Sequence, residues 1–186
     1  MPATKRSGVV MYIDGGARGN PGPAAHAVVV EDAAGNPLTA FSEFIGHTTN
    51  NVAEYQGLLA ALDYALRHNH TKVKVFSDSE LLVRQVRGTY KVKSPDLKPL
   101  HAKAREMIDQ LGEFSVEHVP REKNQEADRL VNQALDCTEA DRYPGASKPA
   151  AILHATATHN AGTLALHQET PLSDGEEVEL EIRRKQ

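Results

Sequence analysis

The 186-residue chain is 40% hydrophobic and only 5% aromatic, lacks tryptophan, and carries a formal charge of −4 at neutral pH. That suffices for one sizeable core of Val, Leu, Ile and Ala with a small appendage, not for two full domains, and the mild acidity disfavours coating nucleic acid by bulk charge. A single cysteine excludes an intrachain disulfide and fits a reducing, cytoplasmic setting; the apolar run after Lys5 and Arg6 stops at Ile13, too short for a signal peptide, and no stretch approaches the ~20 apolar residues that cross a bilayer.

In chain order, Val9 to Ile13 reads as a strand ending on Asp14. Ala24 to Glu31 and Leu38 to Ile45 read as second and third strands, joined by Gly-Asn-Pro-Gly-Pro and Ala-Gly-Asn-Pro segments. Such short connections favour antiparallel neighbours. Tyr55, Leu58, Leu59, Leu62, Ala65 and Leu66 recur at helical spacing, which predicts an amphipathic helix over Asn51 to His68. Val73 to Ser77 is a fourth strand ending on Asp78, followed by helices over Ser79 to Arg87 and Leu97 to Leu111, a fifth strand over Phe114 to Val119, and a helix over Gln125 to Leu135. Helical crossovers make strands four and five parallel to their neighbours. The expected architecture is an α/β five-stranded mixed sheet flanked by helices.

Asp14 and Asp78 thus fall where apolar strands meet an exposed edge, while Glu54 and Asp128 open helices. Brought together, four such hard oxygen ligands suit Mg²⁺ or Mn²⁺. Each acid also has a capping or dipole explanation: Glu54 reaching back to Asn51, Asp78 capping the helix at Ser79, Asp128 complementing a helix N-terminus. From Arg84 to Arg105 the chain carries seven basic residues against Asp96 alone. This stretch reads either as a solvated surface or as a phosphate-tracking one beside the acids.

Four ordered segments carry a resemblance: Tyr12 to Pro23 (YIDGGARGNPGP), Thr48 to Glu54 (TTNNVAE), Ser77-Asp78-Ser79, and Asn124 to Asp128 (NQEAD). Over about Val9 to Asp136 the chain resembles ribonuclease H type 1. The resemblance implies strand order 3-2-1-4-5 and endonucleolytic cleavage of the RNA strand of RNA–DNA hybrids, giving 5′-phosphate and 3′-hydroxyl ends. It further implies two metal ions about 4 Å apart, Asp14 bridging them, Glu54 and Asp78 on the leaving-group side and Asp128 on the side that activates water. Gly15, with Gly16, Gly19 and Gly22, would let the backbone approach nucleic acid closely. Asn20, Asn50 and Asn51 resemble residues that contact 2′-hydroxyls and minor-groove base edges, and Thr49 one that grips a DNA phosphate, although Thr49 also reads as a helix N-cap.

Two departures stand out. The loop before Asp128, Pro120-Arg121-Glu122-Lys123-Asn124-Gln125, lacks the His that many members carry there, leaving Arg121 or Lys123 to steady the departing phosphate; His118 reads as structural. The basic, Trp-containing protrusion of some bacterial members is also missing. Both features resemble a compact archaeal-like subgroup, some of whose members also cut RNA–RNA duplexes. A binding module that lost turnover and another nuclease on the same fold are the competing classes, and retention of all four acids favours turnover.

The expected organisation is a domain over 1–138, a Pro- and Gly-containing linker over 139–150, and a small β-rich extension over 151–186. About 35 residues hold little core alone, so the extension is expected to serve docking or oligomerisation. Its His154, His159 and His167 follow no recognised zinc spacing, and Cys137 has no second thiol.

Overall fold

In the computed structural model, described for residues 8–137, 157–160 and 163–166, the chain divides into two compact units, Met1–Arg142 and Tyr143–Gln186. Strands β1 (Val9–Ala17), β2 (Gly22–Asp32), β3 (Pro37–Thr48), β4 (Lys72–Ser77) and β5 (Glu113–His118) form one sheet in the order β3-β2-β1-β4-β5. Pairing is antiparallel for β1–β2 and β2–β3 and parallel for β1–β4 and β4–β5, as the loop lengths and crossovers predict.

The helices are α1 (Asn50–Arg67), α2 (Glu80–Val86), α3 (Leu97–Ile108) and α4 (Gln125–Asp136), with a 3₁₀ turn at Arg121–Lys123. The main core joins Met11 and Ile13 of β1, Val28 and Val30 of β2 and Val75 of β4 to Leu58 and Leu62 of α1 and Leu82 and Val83 of α2. Each such side chain, fully buried, contributes roughly 1.5–3 kcal/mol. On α4, Val131 and Ala134 pack on Ala25 and Ala27 of β2 in a smaller cluster; alanine on the strand admits the helix closely.

Two strand ends run three or more residues past expectation, and α3 stops three residues short of it, at Ile108. β1 continues through Asp14, Gly15 and Gly16 to Ala17, because β2 starts at Gly22 and the ladder runs unbroken to the pair Ala17↔Ala24. Gly15 and Gly16 are therefore strand residues; Gly19, at φ +99, belongs to the connecting turn. β3 likewise reaches Thr48, held by Gly22↔Thr48.

In the second unit, Ala157–Asn160 (β6) and Thr163–Leu166 (β7) form an antiparallel pair. The expected linker and the alternating segment Glu176 to Ile182 lie outside the described residues. Among the described residues no helix is long and apolar enough to cross a membrane.

Candidate active site

Backbone contact between β1 and α1 positions the first two acids. A Cβ added to Gly15 would stand 2.2 Å from the Ala53 carbonyl carbon and from the Glu54 nitrogen, and one on Gly57 would stand 3.0 Å from the Asp14 carbonyl oxygen. Helix and strand meet there with no side chain between them, which places Glu54 beside Asp14. Asp78 follows the last residue of β4, the strand parallel to β1. Ligand oxygens of Asp14, Glu54 and Asp78 all lie within 4.8 Å of one another, with Asp14 and Glu54 buried.

The capping readings of two of these acids do not hold. Thr49 is the N-cap of α1, its Oγ1 accepting from the Val52 amide at 3.3 Å, so Glu54 is released to the cluster. Ser79 caps α2, its Oγ accepting from the Leu82 amide at 3.4 Å, and Asp78 accepts instead from Asn124 Nδ2 at 3.2 Å.

Charge is costly in this cluster. Burial first, then the neighbouring Asp78 and Asp128 carboxylates, push the Asp14 pKa up to about 7, opposed by a hydrogen bond from the Gly15 backbone and by the Arg121 guanidinium. Burial, then Asp14 and Asp78, raise Glu54 well above its ordinary value, and Glu54 Oε2 is buried without a hydrogen-bond partner. Buried carboxylates that repel one another and offer an unpaired oxygen are a donor set fitted to a hard divalent cation.

Asp128, in the first turn of α4, stands outside the group of three. It is ion-paired with Arg121 and accepts from Asn132 Nδ2 at 3.3 Å. Arg121 comes from the 3₁₀ turn Arg121–Lys123, so a guanidinium lies beside Asp128 and near enough to Asp14 and Asp78 to feel their charge. His118 is exposed at the end of β5.

The amides of the neighbouring loop are interlocked. Asn20 Oδ1 accepts from the Asn50 backbone N–H at 3.3 Å and Asn50 Oδ1 from the Ala17 N–H at 3.2 Å. Both side chains are exposed, as is Asn51; with the oxygens committed inward, the amide nitrogens of Asn20 and Asn50 are left as outward donors. In the basic stretch, Arg84 pairs with Glu80 and contacts Tyr90, Arg87 donates to the Val116 carbonyl and Arg105 to that of Val86. Lys91, Lys93, Lys98 and Lys103 remain exposed.

Sequence reasoning did not assign Asn124 to the site. As the residue before a helix it has the signature of an N-cap, which conceals the role its side chain takes.

The family model described as Reverse transcriptase-like matches residues 12–134. The crystal structure of RNase H1 from the halophilic archaeon Halobacterium salinarum is 39% identical and superposes with a TM-score of 0.69, over 71% of this chain and 100% of that one. The chain belongs to the type 1 ribonuclease H family. The structure of LC11-RNase H1 in complex with RNA/DNA hybrid is 48% identical, with a TM-score of 0.65 over 69% of this chain and 96% of that one. The "Bifunctional protein Rv2228c" of Mycobacterium tuberculosis is 47% identical over 129 residues. The chain spans only 35% of the length of that relative and 63% of the "Ribonuclease HI" of Halobacterium salinarum, to which it is 40% identical.

Proposed function

We propose that the protein is an endoribonuclease that hydrolyses the RNA strand of RNA–DNA hybrids, leaving 5′-phosphate and 3′-hydroxyl ends. The observation that carries this reading is the cluster of oxygens from Asp14 on β1, Glu54 on α1 and Asp78 just after β4, set in a ribonuclease H fold. Its relative LC11-RNase H1 is described in complex with RNA/DNA hybrid.

Asp14, Glu54 and Asp78, with Asp128 at the rim, would hold two Mg²⁺ ions, or Mn²⁺ in their place. Bound there, the ions would supply Lewis-acid stabilisation of the scissile phosphate and lower the pKa of a water. The protein residues do the rest. Asp14, buried on the strand between β2 and β4, has its oxygens within 4.8 Å of those of both Glu54 and Asp78 and would hold a cation together with either. Asp128 would exchange its contact with Arg121 for the cation side of the site, and the guanidinium so freed would be available to the departing phosphate. Asn20 and Asn50 donate to acceptors in the minor groove, the 2′-oxygen among them. Thr49, while capping α1, would contact a phosphate of the DNA strand.

The deciding experiment offers labelled RNA–DNA hybrid, RNA–RNA, DNA–DNA and single strands to the protein with Mg²⁺, Mn²⁺ or EDTA. Internal cuts in the RNA of the hybrid, abolished by EDTA, are expected. Cleavage of RNA–RNA as well would broaden the substrate class. Hybrid binding without cuts, from folded protein, would leave a binding module.

A further inference from the structure

Asn124 occupies the N-cap position of α4 and makes no capping hydrogen bond, although asparagine is among the best N-cap residues. Its side chain turns inward and is 1% exposed. Through Nδ2 it donates to the Ile13 carbonyl at 2.9 Å and to Asp78 Oδ1 at 3.2 Å. Both neighbours are acceptors, so the nitrogen has to face them. Its own Oδ1 is left buried without a hydrogen-bond partner. A side chain that forgoes its cap and strands its oxygen is oriented by those two acceptors.

The place matters as much as the contacts. Ile13 and Ser77 are the last pair of the β1–β4 ladder, and the acids Asp14 and Asp78 are the next residue on each side. Beyond that pair Asn124 continues the connection with a side chain, joining the strand that carries Asp14 to the Asp78 carboxylate. A donor on one carboxylate oxygen fixes the rotation of the group and hence the direction in which its other oxygen points.

We propose that Asn124 is a positioning residue for the acid cluster, holding Asp78 in register with Asp14 so that the two bind a divalent cation together. This rests on the reading of the cluster as a divalent-cation site. The test is calorimetric titration of Mn²⁺ into the substrate-free full-length protein. Asn124→Ser keeps a side chain able to cap α4 but too short to bridge both acceptors. It is expected to bind Mn²⁺ at least about tenfold more weakly while melting close to the wild type. In an Asp78→Asn background the same substitution is expected to cause no further loss, because Asp78 transmits its effect.

Unchanged Mn²⁺ affinity in Asn124→Ser would overturn the proposal, as would an equal loss in both backgrounds. A wild type that binds no divalent cation would overturn the reading of the site as well, so the two failures are distinct. A second readout needs no substitution. The Asn124 side-chain amide resonances of the wild type are expected to shift on Mg²⁺ addition with the calorimetric midpoint, and resonances that stay in place while Mg²⁺ binds would overturn the proposal.

Discussion

Gly15 of β1 lies so close beneath Glu54 of α1 that a single methyl group there would stand 2.2 Å from the Glu54 nitrogen. Glu54 reaches Asp14 only because that space is empty. Gly15→Ala is therefore expected to lift the start of α1 off the strand, costing about 3 kcal/mol in overpacking, and to weaken metal binding at the same time. Chemical denaturation alongside Mn²⁺ titration checks both; a variant as stable as the wild type would mean the helix moves without cost.

Removing charge from the centre of the cluster separates function from stability. Asp14→Asn removes one of the three carboxylates whose oxygens lie within 4.8 Å of one another, and several kcal/mol of transition-state stabilisation with it, so hybrid cleavage should fall about a thousandfold or more. The same change relieves repulsion that raises Glu54, so metal-free stability at pH 8 should rise. Cleavage at the wild-type rate would refute the assignment.

The Asp14 pKa, pushed up to about 7 from an ordinary 3.8, sets the pH dependence. Between these values the folded protein holds a proton that the unfolded chain has released, so the Asp14 contribution to metal-free stability declines as pH rises from about 4 to 7, and Glu54, raised by the same burial and neighbours, adds a decline of the same sign. The decline amounts to on the order of 4 kcal/mol for this group. Metal binding must displace that proton and the one held by Glu54, so apparent Mn²⁺ affinity should rise with pH across this range. Thermal melts and calorimetry across pH 5–8, with and without Mn²⁺, test both trends.

Much of this was legible in the sequence. Strand directions followed from short loops and helical crossovers, the strand order from the resemblance of four ordered segments to ribonuclease H, and the four acids were visible because each closes or opens an element. What escaped was set by contacts between distant residues. β1 could not be seen to continue through Gly15 and Gly16, since its extension depends on β2 pairing as far as Ala17↔Ala24. Asn124 drew no assignment because nothing in its neighbourhood in the chain points to its partner Asp78, which lies 46 positions away. The basic stretch looked like one continuous surface, yet Arg84, Arg87 and Arg105 spend their guanidinium groups on protein partners.

Arg121 holds Asp128 as a tethered cation. Arg121→Gln is expected to leave Asp128 without its counter-charge and so to tighten Mn²⁺ binding several-fold in the absence of substrate, while the exposed pair itself adds little to stability. Calorimetry measures the change. Weaker binding in Arg121→Gln would mean the guanidinium supports the metal-bound arrangement and does not compete with it.

The residues up to Arg142 form a compact unit that contains all four acids. A chain ending at Arg142 is expected to fold and to cleave hybrid at a rate within a few-fold of the full chain. Loss of activity or of cooperative melting on truncation would assign the C-terminal unit a part in the catalytic one.

The interlocked amides of Asn20 and Asn50 have a consequence for target choice. With their oxygens tied to the backbone, they offer a groove only N–H donors, and every base pair displays acceptors in the minor groove. A reader equipped in this way distinguishes sugars and helix shape but is nearly blind to base order. Mapped cut sites on long hybrids should therefore be distributed with little regard to the letters of the message.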